Sequence, residues 1–192
     1  MESERPRVDR RRARARARIL DVAARRFAER GFDEVRLDTI AEEADVARGT
    51  LYTHFESKDA LVSAILAPLL EQAGAAVRAL SGRSGREAVR GLCAVYLDLW
   101  HHHPHALRLS YQLQARPLGE LAPLHGAFLR GVLDALAVPE QEGILRAGNT
   151  ALAGRVLAKV AIPLLELYGR RPAADALFVE SIEGLLLRAE PG

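Results

Sequence analysis

Apolar residues recur at spacings of three and four along almost the whole chain, and no stretch keeps the period-two alternation of a half-buried strand. The pattern predicts a first helix over about 10–30, with Ile19, Ala23 and Phe27 on one face and a stop at Gly31. Two short amphipathic segments follow. A fourth helix opens near Ser57, a good N-cap, and runs towards Leu80 with a kink expected at Pro68. Residues 81–85, Ser-Gly-Arg-Ser-Gly, read as a loop. Further helices are expected over about 86–102, 105–116, 118–138, 149–168 and 173–189, with His103-Pro104 and Val138-Pro139 closing two of them. The fold class is all-α.

The two short segments lie in 36–61, RLDTIAEEADVARGTLYTHFESKDAL. Ile40, Ala41 and Ala44 share one face of the first, and Ala41 stands where two helices must cross closely. Asp45 occupies the break, where the backbone needs a left-handed residue that Asp tolerates better than most. Val46 and Leu51 return to the same small core. Left outside are Arg48, Gly49, Thr50, Tyr52, Thr53 and His54, mostly hydrogen-bonding groups; a helix needing only solubility would carry more Glu and Lys. An ordinary helical hairpin is the bland alternative. The pattern favours a helix-turn-helix, which sets its second helix in the major groove of DNA.

Net charge of +2 looks too weak for a nucleic-acid partner, but its distribution changes that picture. Residues 1–18 carry eight arginines against Glu2, Glu4 and Asp9, a net of +5, whereas residues 19–62 hold six basic and ten acidic groups, a net of −4. The positive charge is concentrated in an N-terminal arm continuous with the first helix. Residues 1–9 suit a solubilising tail, and Arg10 to Arg18 suit phosphate binding. Hydrophobic content of 49% with 27% charged residues is that of a soluble globular protein. There is no unbroken run of eighteen apolar residues and no signal-like start. The single cysteine, Cys93, excludes an intramolecular disulfide and suits a reducing cytoplasm; it reads as a small core residue, with a redox-sensing thiol the minor alternative.

Gly31-Phe32, Ile40-Ala41, Ala44, Val46, Gly49-Thr50-Leu51-Tyr52, His54-Phe55, Ser57-Lys58 and Leu61 together resemble the DNA-binding signature of the TetR family of transcriptional regulators. The resemblance covers about a quarter of the chain. It implies an N-terminal arm and helix-turn-helix domain over 1–56, joined to a helical regulatory and dimerisation domain over 57–192. It also implies a DNA surface of Arg36, Thr39, Arg48, Gly49, Thr50, Tyr52, Thr53, His54 and Lys58. Of these, Arg48, Thr50, Thr53 and His54 are candidates for base edges, and Arg36, Tyr52 and Lys58 for the DNA backbone. The chain departs from the family at three positions. Arg36 stands where a hydroxyl residue usually opens the first helix of the motif, Asp45 where the turn usually has Gly, and Ala47 where Ser usually precedes the recognition helix. An N-cap without a side-chain acceptor typically costs about 1 kcal/mol, so backbone contacts shift towards Arg36, Arg48 and the arm.

In 149–168 apolar residues cover most of the helix circumference, with only Arg155, Lys159 and Glu166 as a polar stripe. With the last helix this predicts a two-helix share of a symmetric dimer interface built on Val160, Leu164, Leu165, Phe178, Ile182, Leu185 and Leu186, burial within the monomer core being the alternative for each. A dimer would read a palindrome with half-sites about one helical turn apart. Tyr96, Trp100, Tyr111 and Phe128 group in the middle helices and are candidates, with Gln114, for a ligand pocket; Gln112, His125 and Asn149 are further polar candidates. Each aromatic is equally open to plain core packing. His101 and His105 have metal-pair spacing, but Pro104 ends the helix between them, so His101-His102-His103 reads as a solvated helix end and no metal site is assigned. No phosphate loop, nucleophile elbow or paired carboxylates mark an enzyme, and no cofactor is expected. The expectation is a cytoplasmic, dimeric repressor that binds a palindromic operator and is released by a small-molecule inducer. The alternative is a DNA-binding protein of the same fold without a small ligand, controlled by a protein partner or acting architecturally.

Overall fold

The computed structural model describes residues 5–114, 116–117, 119–169 and 171–189. Helices dominate, in the order α1 (Arg5–Arg30), α2 (Leu37–Glu43), α3 (Arg48–His54), α4 (Lys58–Arg78), α5 (Gly85–His102), α6 (Pro104–Gln112), a 3-10 turn (Gly119–Leu121), α7 (Ala122–Gln141), α8 (Thr150–Tyr168) and α9 (Ala174–Leu186). Among the described residues there is no strand, only an isolated bridge between Leu145 and Leu187. Glu2 and Glu4 of the arm, and Leu118 as the expected start of the seventh helix, lie outside the described residues.

α1 is longer than its apolar pattern predicts. It is helical from Arg5, residues 9–14 are exposed, and Ala15, Ile19, Val22, Ala23 and Phe27 then enter the core. Gly31 closes the helix at φ +86°, its N–H donating to the Phe27 carbonyl at 2.9 Å. Asp45 adopts φ +52°, the left-handed turn conformation that glycine takes most readily. Behind it Ala41 and Ala44 are buried against Leu51 and Phe55, so α2 and α3 cross on small side chains.

α4 runs unbroken through Pro68. The ring sits on the exposed side of the helix, so the Ala64 carbonyl that loses its N–H partner lies on the side open to water. α7 passes Pro139 by two residues and ends at Gln141, a correction to the expected stop at Val138-Pro139. By length and composition α4 and the Gly119–Gln141 stretch could each cross a membrane; here their apolar faces pack against each other. The crossing is close, because a Cβ on Gly131 of α7 would run into Val77 of α4. α5 lies against α7 and α9, α8 packs between α7 and α9, and α6 leans on α1. One buried cluster runs from Ile19 to Leu187, so the small core under the helix-turn-helix is continuous with the larger one through α4.

That packing corrects four of the residues expected at a dimer interface. Leu165, Phe178, Ile182 and Leu186 are buried inside the single chain, because α8 and α9 turn these positions towards each other and towards α5. Leu185 stays exposed, and Val160 and Leu164 are half-buried. Sequence periodicity marks a helix as apolar on most sides, yet cannot say which sides its own chain covers.

Candidate nucleic-acid interface and interior cavity

α3 follows Ala47, an extended N-cap whose side chain makes no capping bond, and α2 follows Arg36 in the same way. Their first amides are therefore open at the exposed end of the motif. Around them Arg36, Thr39, Arg48, Gly49, Tyr52 and Thr53 are exposed, while Thr50 and His54 are half-buried. The Thr53 hydroxyl donates to the Gly49 carbonyl at 2.8 Å, which leaves its oxygen as an acceptor.

Asp38 organises this surface. Its carboxylate lies 2.8 Å from Arg48 Nε and 3.8 Å from Arg36 Nη2, joining the two cations nearest the open helix ends. Arg48 also lies over the Tyr52 ring at 5.7 Å. The Arg48 side chain is thus held between a carboxylate and an aromatic face. Sequence reasoning placed Asp38 behind Arg36 without seeing this pairing, which depends on the angle between α2 and α3.

The motif is tied back to α1. Arg18 reaches the Asp45 turn, with Nη1 3.9 Å from the carboxylate and Nη2 donating to the carbonyl at 3.4 Å. Arg25 and Arg26 both grip Glu43, and the Arg26 hydrogen bond holds that carboxyl below its ordinary range. Two of the acidic residues of this segment, Glu43 and Asp45, are paired in this way. Arg10, Arg11, Arg12 and Arg14 stay exposed on the free end of α1. Lys58 is half-buried, its ammonium 4.4 Å from the centre of the Phe32 ring and 3.4 Å from the Asp33 carbonyl.

A cavity of about 480 Å³ opens between α4, α5, α6, α7 and α8. Leu69, Leu70 and Ala73 line it from α4, Tyr96 and Leu99 from α5, and Leu107 and Ser110 from α6. His125, Phe128, Val132 and Leu133 face it from α7, and Ala151, Gly154, Arg155, Ala158 and Ile162 from α8. Of the expected pocket residues, Tyr96, Phe128 and Gln114 line it, the two rings meeting edge to face at 6.4 Å. Trp100 and Tyr111 do not. Trp100 is buried under Arg108, which also binds Glu166 at 2.7 Å, and the Tyr111 hydroxyl reaches the Lys159 carbonyl at 3.5 Å. Gln112 donates instead to the Ala28 carbonyl of α1 at 2.9 Å, and Asn149 caps α8 through the Leu152 amide.

Burial pushes the Tyr96 phenol up to about 12 and lowers the His125 imidazole, so both are neutral near pH 7. Burial also pushes the Cys93 thiol up to about 12 and keeps it protonated, which argues against the redox-sensor alternative. His101 and His102 are engaged with carboxylates, Asp175 at 3.0 Å and Asp98 at 3.1 Å.

Comparison with known proteins places this geometry. Residues 19–65 match the sequence model of the bacterial regulatory proteins, tetR family. The chain is 34% identical over 105 residues to the HTH-type transcriptional repressor KstR2 of Mycobacterium tuberculosis, an alignment covering 54% of this chain and 52% of the repressor. The chain thus spans about half the length of that relative in the alignment. Over 179 residues, 89% of this chain and 90% of the other, it is 26% identical to the HTH-type transcriptional regulator UidR of Escherichia coli. Among solved structures, the ketosteroid transcriptional regulator KstR2 of Mycobacterium tuberculosis superposes with a TM-score of 0.74 at 24% identity, over 91% of this chain and 95% of that one. The probable transcriptional regulatory protein RHA5900 does so with 0.73 at 27%, over 89% and 96%. These relatives are regulators of transcription, not enzymes.

Proposed function

We propose that this chain, which carries the DNA-binding segment of the TetR family and has the fold of that family's members, is a dimeric repressor that binds a palindromic operator and releases it on binding a small molecule. The observation that carries this reading is the span of α4. It starts beside the recognition helix α3 and lines the cavity at Leu69, Leu70 and Ala73. α6 makes a second bridge, lining the cavity at Leu107 and Ser110 and leaning on α1. A molecule entering the cavity presses on both helices that hold the reading head. It shifts the equilibrium only by as much as it prefers the released arrangement.

In this reading residues 1–56 bind DNA and 57–192 sense and dimerise. Arg48, Thr50, Thr53 and His54 meet base edges. Arg36, Thr39, Gly49, Tyr52, Lys58 and the arm meet the DNA backbone. The second copy packs on the apolar face that the single chain leaves uncovered, made by Leu152, Val156, Val160, Leu164 and Leu167 of α8 with Leu177 and Leu185 of α9. The site of action is the cytoplasm, where a lone buried thiol is unremarkable.

The test is binding of the purified protein to DNA fragments from beside its own gene, followed by anisotropy with and without competitor. Saturable binding to one fragment, two protomers per site, is the expected result. Equal affinity for all fragments contradicts the reading.

A further inference from the structure

We infer that the cavity's ligand is an apolar molecule carrying one carboxylate, taken up between α7 and α8 with its charged end on Arg155. The inference rests on the cavity being the sensing site proposed above, and it adds the chemical class of what is sensed.

The opening is set by exposure. Leu129 and Leu133 of α7 line the cavity and are also 40% exposed, and across from them Ala151 and Arg155 of α8 are exposed as well. Small residues at 151, 154 and 158 keep α8 thin on this side; Leu133 of α7 packs closely over Gly154, and the slot between the helices runs beside it. The buried part of the lining is leucine, valine, isoleucine and alanine with the Tyr96 ring. At about 480 Å³ the volume falls within the roughly 300–1,000 Å³ typical of pockets for small organic ligands.

The polar groups of the lining then separate by whether they are already used. The Ser110 hydroxyl donates to the Leu107 carbonyl at 2.7 Å. The Gln114 amide donates to the Ala158 carbonyl at 3.4 Å, and its oxygen accepts from Lys159 at 3.5 Å. Tyr96 and His125 are neutral. Among the described lining residues there is no carboxylate, and Arg155 is the permanent charge. Among those residues it has no ion-pair or hydrogen-bond partner. Its neighbours along α8 fare differently, Lys159 being held by Gln114 and Glu166 by Arg108. An exposed guanidinium at the lip of an apolar slot favours an anion, and its planar fork suits a carboxylate. A wholly neutral ligand leaves it unused, and a cationic one is repelled.

The experiment uses the full-length protein and two matched pairs of probes, dodecanoate with 1-dodecanol and 1-pyrenebutyrate with 1-pyrenebutanol. Binding is read by calorimetry or pyrene fluorescence at pH 7.5. Within at least one pair the carboxylate is expected to bind at least about tenfold tighter, although the alcohol is the more apolar partner. Arg155→Met should bring that ratio to about one while leaving the alcohol's affinity unchanged, and Lys159→Met should preserve the ratio. Leu133→Trp, at an exposed position in the slot, should abolish binding of the preferred acid while operator binding survives. Equal affinity within both pairs overturns the inference, as does a preference that survives Arg155→Met or failure of all four probes to bind. Operator binding by the ligand-free protein is measured on the same samples. Its absence sinks the repressor reading, whereas operator release by the alcohols as readily as by the acids sinks only the carboxylate.

Discussion

Arg116 Nη1 lies 3.0 Å from both carboxylate oxygens of Asp33, tying the segment after α6 to the loop between α1 and α2. The same guanidinium sits 4.5 Å from the centre of the Phe32 ring, which the Lys58 ammonium also approaches. Two cations from different parts of the chain thus converge on one dipeptide of the DNA-binding segment. Both partners of the ion pair are well exposed, so it contributes about 0–1 kcal/mol to stability. In the proposed mechanism its position suits it to transmitting movement of α6. Arg116→Ala should therefore lower the melting temperature by less than about 4 °C. It should weaken the proposed linkage between inducer and operator by about two- to thirtyfold, the span of 0.5–2 kcal/mol typical of residues that modulate coupling. Titrating operator release with inducer in both proteins checks this; unchanged linkage would assign the pair to the surface alone.

Arg48 and Asp38 should move DNA binding in opposite directions. Arg48→Ala removes the proposed base contact, and the loss of operator affinity should amount to about 1–3 kcal/mol with the dimer intact. Asp38→Asn unlocks Arg48 and removes a negative charge from the proposed DNA-facing surface, so binding should tighten. Its cost is a small loss of helix stability, about 0.3–1 kcal/mol, because Asp38 sits in the first turn of α2. Anisotropy and thermal melts on the two variants separate these effects.

The arm is a question of salt. Deleting residues 1–12 removes five arginines, and no buried side chain lies in residues 9–12. If all five touch phosphates, the slope of log affinity against log salt should flatten by about 4 to 5. An unchanged slope would leave the arm without a phosphate role.

Core and interface residues on α8 and α9 should part company. Phe178→Ala empties a fully buried site and should cost about 3–5 kcal/mol of stability. Replacing Leu167 and Leu185 with Gln touches two of the most exposed leucines and should shift the protein towards monomer with a nearly unchanged fold. Denaturant melts and sedimentation distinguish the two outcomes. A dimer that ignores both substitutions would move the interface elsewhere.

Cys93 should resist chemistry. With its thiol pushed up to about 12, less than one molecule in a thousand carries a thiolate at pH 8, and the residue is fully buried. Iodoacetamide should label it only as fast as the protein unfolds. Rapid labelling of the folded protein would restore a redox role.

The motif was legible because its information is local. Asp45 and Ser57 each meet a backbone demand set by residues within one helical turn, and the structure shows Asp45 at positive φ and Ser57 as a cap. The helices were legible for the same reason, since the 3.6-residue period is a property of neighbours in sequence. Local logic failed at Pro139, where packing of α7 carries the helix past a residue that usually ends one.

The sequence by itself determined that the chain is helical, that 36–61 forms a helix-turn-helix, and that positive charge gathers at the N-terminus. Tertiary structure alone decided the rest. Whether Leu165 faces its own core, whether Trp100 meets the cavity or Arg108, and whether Arg155 borders an apolar slot depend on the rotation of one helix against another. Amphipathic periodicity selects a face, but α8 is apolar on most of its circumference. Its neighbours, through shape and close packing, assign one side to the core, one to the cavity and one to the outside.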